Sequence, residues 1–163
     1  MLRAFCRLTV RLSHAIDRLC LLAACVFMLV MIVMVAIQVV ARYGFSAPPQ
    51  WTEEIARYAM VWSALLGATV SFRRGADPVL VSWVGPSRTG RRLLPVRMAA
   101  VLIFVAPFIY FGPDFLERAS IRVTESTRLP LALVESIVPL MAAIIAFHAV
   151  AKLVQPFCEE QPV

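Results

Sequence analysis

Residues 19–37 read LCLLAACVFMLVMIVMVAI, nineteen apolar residues in a row. At a rise of about 1.5 Å per residue, a helix of that length crosses the roughly 30 Å hydrocarbon core of a bilayer. The apolar run continues past Gln38 to Ala41. That is longer than the about 7–15 residues of a secretory signal's apolar region, and no convincing small-residue cleavage site follows. The stretch predicts a retained first membrane helix over about 19–41.

The rest of the chain has the same character. Of its 163 residues 61% are hydrophobic and 16% charged, against about a quarter charged in soluble domains. The mean hydropathy is +0.81. Further apolar segments at about 51–72, 93–111 and 129–154 predict three more spans. The last two carry Pro95, Pro107 and Pro139, which membrane helices tolerate as kinks when neighbours satisfy the freed carbonyls. The expected fold class is an all-α integral membrane protein of four transmembrane helices, one membrane domain over 1–163.

Arginines orient it. Arg3, Arg7, Arg11 and Arg18 precede the first span, and Arg73, Arg74, Arg88, Arg91, Arg92 and Arg97 lie in or beside the 73–92 loop. The opposite loops are poorer in arginine and mixed in sign, so both termini and the central loop are expected in the cytoplasm. Two amphipathic stretches, LRAFCRLTVRLSHAIDRL (2–19) and DPVLVSWVGP (77–86), suit the inner surface, where arginines meet anionic membrane lipids.

The net charge of +6 is thus read as topology; no aromatic-interleaved basic groove points to nucleic acid. Cys6, Cys20, Cys25 and Cys158 show no CxxC pair or zinc spacing. No Ser/His/Asp set, phosphate loop or suitable acidic pair is visible, so no enzyme, cofactor, metal site or substrate-binding residue is predicted. Two alternatives stay open. His14 and His148 would fall near the same membrane face, as a haem-type redox anchor requires. Glu135, a carboxylate inside the fourth span, would serve a self-sufficient homodimeric small transporter; at its shallow depth a structural pairing or a solvated position is the preferred role.

The second span opens with PQWTEEIARYAMVW (49–62). Glu53 and Arg57 stand at i,i+4 and Glu54 reaches Arg57 at i,i+3, while Thr52 is placed to cap the helix. Trp51 and Tyr58 suit an aromatic belt. Ala59, Ser63, Gly67 and Ser71 form a small-residue stripe that admits another helix backbone. Trp62 lies about 16 Å deeper than Trp51, where its indole N–H needs an acceptor.

The stretch ARYGFSAPPQWTEEIARYAMVWSALLGATVSFRRG (41–75) resembles the small membrane subunit of the tripartite ATP-independent periplasmic (TRAP) transporters. Arg42-Tyr43, Phe45, the proline turn, Trp51, Glu53-Glu54, Arg57, Trp62, Gly67-Ala68, Arg73 and Gly75 carry the resemblance. STRLPLALVESIVPLMA (126–142) is similar to the family's last helix. Asp77 departs from the pattern, since the family commonly has histidine near that position. The resemblance implies a multi-pass protein of the bacterial inner membrane. It also implies a large membrane subunit and a periplasmic solute-binding protein as partners, in sodium-coupled uptake of an organic acid such as a dicarboxylate or sugar acid. The small subunit would act as scaffold. Its expected interface or structural residues are Arg42, Tyr43, Trp51, Glu53, Glu54, Arg57, Trp62, Ser63, Gly67 and Arg73.

Overall fold

Leu2 to Phe45 form one uninterrupted helix, α1. The computed structural model of the chain describes residues 2–45, 49–75 and 88–159. The amphipathic stretch at 2–19 and the first span were expected as successive segments; they are one rod of about 66 Å at 1.5 Å per residue. The sequence explains this, because no proline or glycine occurs between Leu2 and Tyr43 to turn the chain. The segment 77–86 and Asp77 lie outside the described residues.

Helix α2 spans Gln50–Arg74 and ends on Gly75, whose φ of 66° is the left-handed conformation glycine adopts freely. The expected end at residue 72 is therefore two residues early, and Arg73 and Arg74 are helical. Thr52 does not cap by accepting an N–H. Pro49 occupies the N-cap position, and the Thr52 hydroxyl donates to the Pro49 carbonyl at 2.6 Å.

Helix α3 covers Arg88–Tyr110 with Pro95 and Pro107 inside it, and α4, Gly112–Ser120, follows almost at once. Gly112 is needed for contact: a Cβ there would sit 2.9 Å from the Cβ of Pro139. The last span is broken into α5, Leu131–Glu135, and α6, Ile137–Glu159. Pro139 has no N–H for the Glu135 carbonyl and its ring crowds that carbonyl, which places the break.

Among the described residues four helices are long and apolar enough to cross a membrane: Leu8–Gly44, Gln50–Arg74, Leu94–Ser120 and Leu131–Val154. Among the described residues no strand forms, only an isolated bridge between Val123 and Pro130. α1 and α2 make an antiparallel hairpin, and α6 packs on α1, α2 and α3. One apolar cluster joins Cys20 and Ala24 of α1, Leu66 and Val70 of α2, and Ile137 of α6; a second joins Phe72, Met98 and Ala149. Only 6% of the most apolar window of α1 is buried within the chain, against 39% for α2. Most of α1 therefore faces whatever surrounds the protein, and α2 is the central post.

Candidate functional site

The chemistry-bearing residues gather at the two ends of α2. At its start, Glu53 pairs with Arg57 at 3.0 Å, both side chains well exposed. Such a pair contributes about 0–1 kcal/mol. The sequence allowed both glutamates to reach Arg57. Glu54 instead serves the loop between α4 and α5: its Oε2 accepts the backbone N–H of Ser126 at 3.0 Å and of Thr127 at 2.8 Å. Its Oε1 accepts the Tyr58 hydroxyl at 2.8 Å.

The loop that Glu54 holds is tightly folded. The Thr124 N–H donates to the Leu129 carbonyl and the Leu129 N–H to Thr124 Oγ1, both at 2.9 Å. Arg128 closes the turn with φ 55°. Glu53, Glu54, Arg57 and Tyr58 face Glu125 and Ser126 across an open groove of about 520 Å³.

Midway along α2, Trp62 meets the need read from its depth. Its Nε1–H donates to the Val134 carbonyl at 3.1 Å, and its ring packs 5.1 Å from that of Phe27. Val134 lies in the last turn of α5, where carbonyls lack helical partners; the break at Ser136 thus creates the acceptor. Trp62→Phe keeps an aromatic ring and removes one hydrogen bond. It is expected to cost about 1 kcal/mol, read as a fall of about 2–4 °C in melting temperature in detergent.

The small-residue stripe divides. Ala59 and Ser63 are buried against the chain's own helices, and the Ser63 hydroxyl donates to the Met60 carbonyl at 2.9 Å. Around Gly67 an added Cβ would meet no heavy atom within 4 Å, and the neighbouring Ala64 and Ala68 are exposed. Arg42, Tyr43 and Trp51 are also outward, Tyr43 being 84% exposed.

At the other end of α2 lies a polar cluster. Asp17 of α1, 4% exposed, takes Arg73 Nη1 at 3.1 Å and Arg74 Nη2 at 3.0 Å on its single oxygen Oδ2. Arg73 Nε also donates to Ser13 Oγ at 3.1 Å, and Ser13 Oγ lies 2.9 Å from Nδ1 of the buried His148. Lys152 of α6 donates to the Phe72 carbonyl in the last turn of α2 and stands 4.7 Å over the Phe72 ring. This cluster ties α1, α2 and α6 together.

Of its members only Arg73 was singled out as an interface or structural residue. The available signal was Asp17, a lone carboxylate among the N-terminal arginines just ahead of the apolar run. His148 meets Ser13 through Nδ1 while its buried Nε2 has no hydrogen-bond partner among the described residues, and His14 is exposed. Glu135 has Oε1 3.8 Å from Nη2 of Arg122 in the loop before α5.

A family model described as "Tripartite ATP-independent periplasmic transporters, DctQ component" matches residues 31–159. A Haemophilus influenzae protein provisionally named a TRAP transporter small permease protein is 38% identical over 61 residues, 37% of this chain. The match spans 38% of that relative's own length.

Proposed function

Since the chain belongs to the DctQ-component family of the tripartite ATP-independent periplasmic transporters, we propose that it is the scaffold subunit bracing a large membrane subunit. As the small membrane subunit of such a transporter it is a multi-pass protein of the bacterial inner membrane, with a role in transport rather than catalysis. In the proposed assembly the large subunit carries out sodium-coupled uptake of an organic acid, a dicarboxylate or sugar acid, handed over by a periplasmic binding protein. The Arg73 end of α2 then faces the cytoplasm, as the arginine distribution favours, and the Glu54 end faces the binding protein.

The observation that carries this reading is the divided stripe on α2. Ala59 and Ser63 serve the chain's own packing, while Ala64, Gly67 and Ala68 leave a shallow, open strip on the same helix. Small residues at a lipid-facing position gain little from lipid but let a second helix approach closely. Glu54, Arg73 and Arg74 of α2 support a bracing role, because they tie α2 to this chain's own loop and to α1.

Gly67→Leu tests it. A Cβ added at Gly67 meets open space within the chain, so the melting temperature of the isolated chain is expected to fall by no more than about 2 °C, as for surface changes of about 0.5 kcal/mol. Co-purification of the large subunit and reconstituted uptake are expected to fall at least about tenfold, the scale of a steric block at a packed interface. Unchanged co-purification would remove α2 from the joint, and uptake by the large subunit alone would end the scaffold reading.

A further inference from the structure

The loop between α4 and α5 turns back on itself as a short hairpin. The Thr124 N–H donates to the Leu129 carbonyl and the Leu131 N–H to the Arg122 carbonyl, both at 2.9 Å, around the isolated bridge between Val123 and Pro130. The tip, residues 125–128, reads Glu-Ser-Thr-Arg. Glu54 grips it from α2 through the N–H groups of Ser126 and Thr127, and the Thr124 and Thr127 hydroxyls share a hydrogen bond of 2.7 Å. The backbone from which the tip's side chains leave is therefore fixed.

Arg128 is the odd residue in that tip. Its φ of 55° makes it the one non-glycine residue, among those described, in the left-handed region. That conformation crowds the Cβ of an L residue, whereas glycine adopts it freely. The turn by itself would be served better by glycine. Arginine adds a long cation, and the chain makes no use of it: Arg128 is exposed and has no hydrogen bond or ion pair with any described residue. By contrast Arg57, Arg73, Arg74 and Arg122 each meet a carboxylate of this chain. Backbone conformations of this cost collect where a displayed side chain has work outside the fold.

We propose that Arg128 is a docking residue, received by a carboxylate on the surface of the periplasmic solute-binding protein. The proposal rests on the scaffold reading, in which this end of α2 faces that partner. A guanidinium holds a carboxylate through two parallel N–H bonds, and arginine is enriched at the energetic centres of protein interfaces. On the same hairpin Val123 is 57% and Leu129 40% exposed, apolar surface that a protein partner would cover. A lipid phosphate is the other anion at such a place. It fits less well, because Glu125 stands on the same tip and lines the open groove with Glu53 and Glu54. Residues 46–48, between α1 and α2, read Ser-Ala-Pro and bring no charge to this end. A protein surface can set a carboxylate against Arg128 and a donor against Glu125, while an anionic lipid surface presents phosphate to both.

The test uses this chain co-purified with the large subunit in nanodiscs, with the transporter's own solute-binding protein passed over them. Arg128→Gly suits the turn and removes only the side chain. Capture of the binding protein is expected to weaken about tenfold and to depend less on salt. Exchange of the Ser126 and Thr127 amides should stay as in the parent chain or slow, which separates this result from damage to the turn. Arg128→Lys should keep most of the capture, and Arg128→Glu should lose more than Arg128→Gly. Co-purification of the large subunit is expected to be unchanged in all three. Equal capture by Arg128→Gly and the parent chain would overturn the proposal and leave the scaffold reading standing. A loss seen only in nanodiscs containing phosphatidylglycerol, and absent in phosphatidylcholine alone, would also overturn it by assigning Arg128 to a headgroup. Absence of the large subunit from the parent preparation would end the scaffold reading, and the proposal with it.

Discussion

Asp17→Asn is expected to cost about 3–5 kcal/mol of folding stability, the scale for removing one partner of a buried ion pair. One oxygen of this carboxylate receives Arg73 at 3.1 Å and Arg74 at 3.0 Å. Arg74 is about half exposed and can turn to water. Arg73 cannot, and without Asp17 it becomes a buried cation held by a neutral hydroxyl. The asparagine keeps the volume and removes the charge, so packing stays nearly constant. The measurement is thermal unfolding in detergent, where a fall of roughly 10 °C is expected at about 2–4 °C per kcal/mol. Removing both members should be milder, because no unpaired charge is then left buried. Asp17→Asn combined with Arg73→Gln is therefore expected to recover most of the loss. Failure to recover would mean that Asp17 acts by some route other than Arg73. Glu53→Gln, at the exposed pair with Arg57, is the internal control; about 0–1 kcal/mol is expected there.

The four spans were legible because a bilayer imposes length and apolarity on single segments, and both are properties of contiguous sequence. Leu19–Ile37 needs no knowledge of any other residue to be read as a span. The same local logic recovered the demand of Trp62 for an acceptor, because depth along a helix is a matter of counting. It did not identify the acceptor. The Val134 carbonyl is available only because Pro139 breaks the last span, and it lies 72 residues away. The cluster at the Arg73 end of α2 was hidden for the same reason: Ser13 meets His148 across 135 positions and Asp17 meets Arg74 across 57. Nothing in the local pattern marks those pairs. The continuity of α1 is the instructive contrast. The amphipathic stretch ending at residue 19 and the apolar run that follows differ in composition, which suggested two elements. Helix continuity depends on the absence of breakers and on the anchoring of Ser13 and Asp17 against α2 and α6, and a change of composition is no breaker.

Glu54→Gln is expected to release the 121–130 loop while leaving the helices in place. The carboxylate accepts two adjacent backbone N–H groups, from Ser126 and Thr127, and the Tyr58 hydroxyl. Hydrogen bonds to a charged acceptor are stronger than neutral ones. A glutamine keeps one carbonyl oxygen for these three donors and sets an amide –NH2 where the other oxygen accepted. With that oxygen turned to Ser126 and Thr127, the amide –NH2 meets the Tyr58 hydroxyl, which can accept, so what both backbone bonds lose is their charged acceptor. The loop's own bonds, centred on Thr124 and Leu129, persist, so its turn is retained and its attachment to α2 is what fails. Amide exchange of Ser126 and Thr127 is expected to rise at least about tenfold, as local opening replaces a charge-assisted bond. Exchange in the middle of α2 should be unaffected. Tyr58→Phe removes one of the three donors and should give a smaller increase. In the proposed transporter this loop and the groove beside it form the surface offered to the binding protein. Glu54→Gln is therefore expected to impair capture of that partner while co-purification of the large subunit is preserved, the reverse of the pattern for Gly67→Leu. Loss of both partners together in Glu54→Gln would instead assign Glu54 to the joint itself.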